Sequence, residues 1–266
     1  TLLRRLLEED TATLAPLRGL HTLISSGSAL TAKGPMNMSK NTTVSSCFVA
    51  IKHLFPDVPV NGGTFRPISI EVPPGTVLSA EYPAPCGGYL EPMGRVIDVV
   101  FGALSQAMPD RAPAAFFGTI GVVAISGTHP KRRNYFVGVF PYPGGYGATR
   151  ASDGLINGTP PQSMANFMSL EMSEHRFPLR FDHFRVREDS GGAGWHRGGC
   201  GTEYGFTVWS DTTVSVLGDR AEHAAVGRAH RRRRASRRAR PLPVHPGRLP
   251  DDVHRSPVDN ASVCRL

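Results

Sequence analysis

The sequence is first informative through what it withholds. Its four cysteines, Cys47, Cys86, Cys200 and Cys264, stand far apart, and no CxxC pair occurs. Scattered thiols without a secretory signal are expected to stay reduced, which makes the cytoplasm the expected compartment. No apolar run approaches the roughly 18 residues that a membrane helix needs. No charged–apolar–small leader opens the chain, and no membrane partner is expected. Six histidines precede the basic tail: His21, His53, His129, His175, His183 and His196. None of them forms HxxxH, HxH or a His/Cys cluster, so no local metal signature exists. Each reads more simply as a surface or polar-core residue. A GxxxxGK[ST] phosphate loop and a GxSxG nucleophile elbow are also missing. Cys200 lies in a glycine loop with no adjacent cation or helix start to make it a thiolate.

Acidic charge is short at one end only. The net charge of the whole chain is +8, but residues 219–266 hold twelve arginines against five acidic groups, a net of +7. The preceding 218 residues carry 18 basic and 17 acidic groups, a net of +1. Any nucleic-acid binding must therefore rest on the tail, where 228–240 contain eight arginines in thirteen residues. A basic run without interleaved aromatics would bind phosphate in a salt-sensitive, sequence-independent way.

What is present in quantity is glycine and proline, 29 and 23 residues, which favour short elements joined by tight turns. Residues 178–210 carry the most distinctive pattern. Leu179, Phe181, Phe184 and Val186 nearly alternate with Arg180, Asp182, Arg185 and Arg187, with one slip, as a bulged half-buried strand would. Tyr204, Phe206 and Val208 mark a second strand at period two. Between them runs Asp189-Ser190-Gly191-Gly192-Ala193-Gly194-Trp195-His196-Arg197-Gly198-Gly199-Cys200-Gly201. So glycine-rich a stretch permits close backbone approach at a cost in unfolded-state entropy. By spacing alone it is a long hairpin connection.

Elsewhere, Leu2, Leu3, Leu6 and Leu7 suggest an amphipathic turn or two up to Asp10. Val44, Phe48, Ile51 and Phe55 predict a helix over 42–55, stopped by Pro56. Pro92 opens a second helix with Val96, Val100, Ala103, Leu104, Ala107 and Met108 as its apolar stripe and Pro109 as its stop. Tyr135, Val137 and Val139 alternate in a predicted strand over 134–140. Met164, Phe167, Met168 and Met172 predict a short helix with an adaptable methionine core face. A second glycine loop, Gly144-Gly145-Tyr146-Gly147-Ala148-Thr149-Arg150, runs on to Asp153-Gly154. Its backbone amides and Arg150 could hold an oxyanion or phosphate, or form only a hairpin loop.

These motifs together resemble the hydantoinase B/oxoprolinase family. Pro178-Leu179-Arg180 and the run from Asp189 to Gly201 match its signature near the carboxyl end. Gly27, Gly34, Pro35 and Asn37, the stretch 59–67 with Asn61-Gly62-Gly63, the stretch 109–117, and Gly144, Gly145, Gly147, Ala148, Asp153 and Gly154 follow the same pattern. Pro141 or Tyr142 stands where the family carries an acidic residue. The resemblance runs from about Gly27 to Arg220. It implies one subunit of an ATP-dependent enzyme that opens cyclic amides such as 5-oxoproline or hydantoins, with ketone carboxylases among the relatives. It also implies a hydantoinase A-type partner that binds ATP and phosphorylates the substrate's carbonyl oxygen, and a divalent metal in the full complex. The family's metal ligands lie in an amino-terminal half that has no counterpart here.

From residues and resemblance together the expectation is an α+β fold with mixed or antiparallel sheet, a few helices and long glycine-rich loops. Residues 28–220 form a partial hydantoinase B-like domain, 1–27 are unassigned, and 221–266 are a disordered Arg-rich tail. Substrate is expected at Asn61, Gly62, Gly63, Gly144, Gly145, Gly147, Arg150 and Asp153, with the 61–63 turn and the 144–154 loop lining one cleft. The chain, which opens on Thr1, is expected to be a portion of a B-type subunit, inactive alone and binding no cofactor itself. The arginine tail has two readings. It is a selected basic arm, with a nucleic-acid-binding protein as the rival function, or the product of a frameshift near Gly227, since glycine codons read out of register yield arginine and alanine. Translation of the other frames beyond codon 227 separates the two.

Overall fold

The computed structural model describes residues 20–23, 28–105, 107–163, 167–218 and 263–265. The expected amino-terminal turns, Met164, and the tail with its frameshift reading, apart from residues 263–265, lie outside the described residues. Helix α1 (Lys40–Leu54) begins where the Ser39 side chain accepts a hydrogen bond from the Thr42 amide. Lys52 and His53 occupy its last turn, at the negative end of the helix dipole, and the chain leaves through Phe55-Pro56. A four-residue helix α2 (Gly62–Phe65) follows, then α3 (Leu90–Leu104). Pro92 sits in the first turn of α3, where its missing N–H leaves no intrahelical bond unmade.

The buried sides of α1 and α3 pack together. Cys47, Ala50 and Leu54 meet Val96, Ile97, Val100, Phe101 and Leu104, with Met38, Val72 and Leu78 closing the cluster. Burial pushes the Cys47 thiol up to about 12, so it is a core residue and no nucleophile. The expected apolar stripe of α3 needs two corrections. The helix ends at Leu104, not Pro109; the Ser105 hydroxyl donates to the Gly102 carbonyl, and the Ala107 and Met108 amides both return to the Leu104 carbonyl in a turn before Pro109. Ala103 faces solvent, while Ile97 and Phe101 complete the buried face.

The second half is built of strands. β1 (Leu20–Leu23) pairs in parallel with β2 (Ile68–Glu71). β3 (Val122–Thr128) lies antiparallel between β4 (Tyr135–Pro141) and β7 (Thr212–Leu217). β5 (Leu179–Val186) and β6 (Thr202–Val208) form the predicted hairpin, with β8 (Val263–Arg265) on the far edge of β6. The register shifts between Phe181 and His183, which is the bulge that the slipped alternation predicted. Val123, Ile125, Phe136 and Phe140 from one sheet meet Leu179, Tyr204, Phe206 and Val208 from the other, and Phe177 seals their end. β4 alternates as predicted, but in the opposite phase to its aliphatic residues: Tyr135, Val137 and Val139 face solvent, and Phe136 and Phe140 enter the core.

The methionine helix is also corrected. Helix α4 (Leu170–Arg176) starts only after Ser169, whose side chain accepts from the Met172 amide. Met168 and Met172 are therefore exposed, and the buried residue of this turn is Ser173. A capping serine outweighed a spacing that fits a longer helix.

Glu91 ties the helical and β halves. It is buried at the start of α3, where its carboxylate accepts from the Thr119 hydroxyl and the Ile120 amide just before β3. The fully buried Asn37 ties together the loops that precede α1 and α3. Its oxygen accepts from the Ala32 amide, and its NH₂ donates to the carbonyls of Ala32, Gly34 and Pro85. Asn37 thus owes its place in the motif to this knot, to which Gly34 lends a carbonyl. Asn37→Ala would strand those groups in the core, at about 1–3 kcal/mol for each left unpaired. The expected outcome is a loss of about 3 kcal/mol in urea unfolding with an unchanged m-value. A midpoint close to wild type would show that the knot is not holding these loops.

Candidate functional site

The two glycine-rich stretches, residues 143–158 and 190–201, interlock. The first is closed by the Tyr146 amide donating to Leu155 and the Gly158 amide to Gly144, at 3.0 and 2.8 Å. The second is closed by the Gly198 amide donating to Gly192 at 2.9 Å, and by Ser190, whose hydroxyl donates to Arg187 and accepts from the Gly201 amide. Between them the Gly199 amide donates to Tyr146 at 2.9 Å, the Gly154 amide to Arg197 at 2.8 Å and the Asn157 amide to Cys200 at 3.2 Å. The Thr202 hydroxyl adds a bond to Pro143.

Glycine is required at this seam by contact. A methyl on Gly145 would fall inside the Gly199 carbonyl, and one on Gly199 inside the Leu155 carbonyl. Gly147 lies equally close to Ala114, and Gly154 to the Tyr146 carbonyl. Gly144 packs against the Phe117 ring. The Phe117 amide also donates to Gly145, and the Ala114 amide to Ala148, so the seam rests on residues 114–117. Burial pushes the Tyr146 phenol up to about 12.

The scaffold also brings together side chains whose spacing in the sequence gives no hint of contact. Asp153 Oδ1 accepts from the Arg197 amide at 2.9 Å and stands 3.1 Å from His196 Nδ1. Arg197 also lies 3.7 Å from Asp189. Around this pair Trp195, Leu155 and Ile156 are exposed, Trp195 by 85%. His196 was not among the expected site residues. Its partner lies 43 positions away, and no short-range pattern links them.

The other expected residues are placed as follows. Gly144, Gly145, Gly147 and Asp153 come together at the seam. Arg150 instead pairs with Asp110, both largely exposed. Asn61 caps α2: its Oδ1 accepts from the Thr64 amide at 3.1 Å, and the Thr64 hydroxyl reaches back to Pro59. Gly62 and Gly63 are the first residues of that helix. Beside Asp110, Arg111 lies over the Phe55 ring at 5.0 Å and donates to Leu54 at the end of α1. Tyr142, near the place of the family's acidic residue, is structural. Its ring covers Gly121 and its hydroxyl donates to Leu217 at 2.8 Å. Burial and the nearby Glu91 raise its pKa.

Among the described residues no group of three or more His, Cys, Asp or Glu side chains is placed to hold a metal ion. The side chains present do not fit the implied divalent metal, and no step below runs through it. No helix among the described residues is long and apolar enough to cross a membrane.

The family model described as hydantoinase B/oxoprolinase matches residues 21–245. The caprolactamase beta subunit of Pseudomonas jessenii is 35% identical over 151 residues, 54% of this chain and 26% of that protein. The crystal structure of ATP-dependent caprolactamase from that organism superposes with a TM-score of 0.65 at 28% identity, over 73% of this chain and 34% of the other. A protein of a Pseudomonas species, named as the B-type component of a D-/L-hydantoinase, is 29% identical over 65% of this chain and 29% of its own length. An acetone carboxylase structure, at 20% identity and a TM-score of 0.62 over 75% of this chain and 27% of the other, shares the fold. The chain thus spans about a third or less of the length of these relatives.

The seam makes two substitutions unequal. Gly145→Ala pushes a methyl into backbone that cannot swing aside, whereas Gly192 has nothing within 4 Å of its would-be Cβ. Gly145→Ala is expected to cost roughly 2–3 kcal/mol, as overpacking does. Gly192→Ala should stay within about 0.5 kcal/mol of wild type. Thermal unfolding of the pair checks this, and equal midpoints would dissolve the seam argument.

Proposed function

This chain belongs to the hydantoinase B/oxoprolinase family, and from that premise we propose that it forms part of a B-type subunit in the ATP-dependent opening of a cyclic amide. The observation that carries the proposal is the seam. Two motifs of the family, far apart in sequence, fold into one scaffold that presents Asp153 and His196 beside exposed apolar side chains. Such a face suits a small ring with one polar edge: methylenes against Trp195, Leu155 and Ile156, and amide atoms against the polar pair.

An amide is a poor electrophile, because its nitrogen lone pair is delocalised onto oxygen. Phosphorylating that oxygen at the expense of ATP, the task the family gives to its A-type partner, makes the ring carbon open to water. The part of this chain is to hold the activated ring and admit water. A cleft shared by the glycine loops and the Asn61 turn is part of this proposal. The chain spans under a third of the curated relatives, so turnover is assigned to the assembled enzyme and none to this chain alone.

The test is reconstitution. The chain, the remaining B-type sequence and an A-type subunit are combined with ATP and, in turn, 5-oxoproline, hydantoin and caprolactam. The expected result is ADP formation matched by ring-opened product with one of the three, and none from this chain by itself. ATP-dependent carboxylation of a ketone instead would move the chain to the ketone-carboxylase relatives, and turnover by the isolated chain would show that no further sequence is needed.

A further inference from the structure

Asp153 Oδ1 does two jobs at once: it accepts the Arg197 amide and lies 3.1 Å from His196 Nδ1. A carboxylate oxygen only accepts, so the imidazole must donate from Nδ1, and the hydrogen bond at one ring nitrogen fixes the state of the other. In the neutral ring Nε2 then carries the free lone pair. The carboxylate cannot readily turn away, because the Arg197 amide, itself locked by the Gly154 bond to the Arg197 carbonyl, holds it. His196 is only partly buried, its side chain 28% exposed, so the lone pair can be reached from outside. The charged groups nearest the ring are Asp153, the neighbouring Arg197 and, paired with Arg197, Asp189.

We propose that His196 is the proton acceptor for the water that attacks the activated cyclic amide, with Asp153 as its positioning residue. This rests on the ring-opening reading above. As the water oxygen forms its bond to the ring carbon, one O–H bond breaks and that proton goes to His196 Nε2. The C=N π pair of the O-phosphorylated amide moves onto the ring nitrogen. The imidazolium then returns the proton to that nitrogen; as the C–N bond breaks, the new hydroxyl oxygen forms the C=O and its proton passes through His196 to the departing neutral amine, which restores His196. The ring-opened acyl phosphate is hydrolysed by a second water, whose oxygen displaces inorganic phosphate. The phosphoryl group comes from ATP through the partner subunit. A positioned base of this kind contributes roughly 10²–10⁴-fold. The dyad has the logic of a histidine oriented by a carboxylate, assembled here from two loops rather than from one motif.

Three readouts test it. Long-range ¹H–¹⁵N NMR of the full chain labelled at histidine should find Nδ1 protonated and Nε2 bare at His196. Asp153→Ala should move the proton toward Nε2, whereas Gly192→Ala should not. Diethyl pyrocarbonate, followed by peptide mapping, should acylate His196, and Asp153→Ala should slow that acylation roughly tenfold or more as the reactive tautomer is lost. In the reconstituted enzyme His196→Gln should lower kcat about 100-fold or more with KM little changed. An Nε2-protonated ring in the wild type, acylation indifferent to Asp153, or full kcat in His196→Gln would each overturn the proposal. If the wild-type assembly opens no cyclic amide, the functional reading falls, and NMR and acylation still decide whether His196 is a base held by Asp153.

Discussion

Backbone pressed directly on backbone, at the contact of Gly145 with Gly199, is the constraint on which the rest of this site depends. No side chain intervenes, so the peptide groups of both loops come near enough to exchange hydrogen bonds: Gly199 to Tyr146, Gly154 to Arg197, Asn157 to Cys200. Each bond alone is worth about 1 kcal/mol net. They are cooperative in another sense, because a single Cβ at one of the close contacts would separate several together. Asp153 adds the one charged tie, from its carboxylate to the Arg197 amide. Both loops hang from a stiff support, the paired sheets with Phe140, Phe177, Tyr204 and Phe206 between them.

The same constraint explains why so costly a stretch of glycine is kept. Glycines usually invite a phosphate-cradle reading, and here many of them are used for contact instead. Gly147 lies against Ala114 and Gly154 against Tyr146. What faces outward is the residues between the glycines: Trp195, His196, Leu155 and Ile156. Scaffold and chemistry are thus divided along the sequence, glycine for closeness and the intervening positions for recognition.

Much of the fold could be read in the chain because its signals are local. The 42–55 periodicity located α1, the slipped alternation located the β5 bulge, and period two located β6. What could not be read was the buried face of β4 and the length of some helices. Period two alone left the two faces of β4 open, and Phe136 and Phe140 take the interior because they bury more apolar area. The methionine face was lost to a serine cap at Ser169. In the site, Gly144, Gly145, Gly147 and Asp153 were recognisable as a motif, but their purpose was not. The partners of Gly145 and Asp153 lie in the second glycine loop, and those of Gly144 and Gly147 in residues 114–117. His196, with Trp195 one of two positions that the motif leaves free, gave no signal at all until Asp153 was placed beside it.

Amide hydrogen exchange tests the seam most directly. If the two loops are one structure, the amides of Tyr146, Gly154, Arg197 and Gly199 should be protected in the wild type and should open with a common free energy. Asp153→Ala should lower that protection at all four together, including Tyr146 and Gly199, which do not touch Asp153. Loss at Arg197 alone, with the other three unchanged, would show two independent loops and contradict the account.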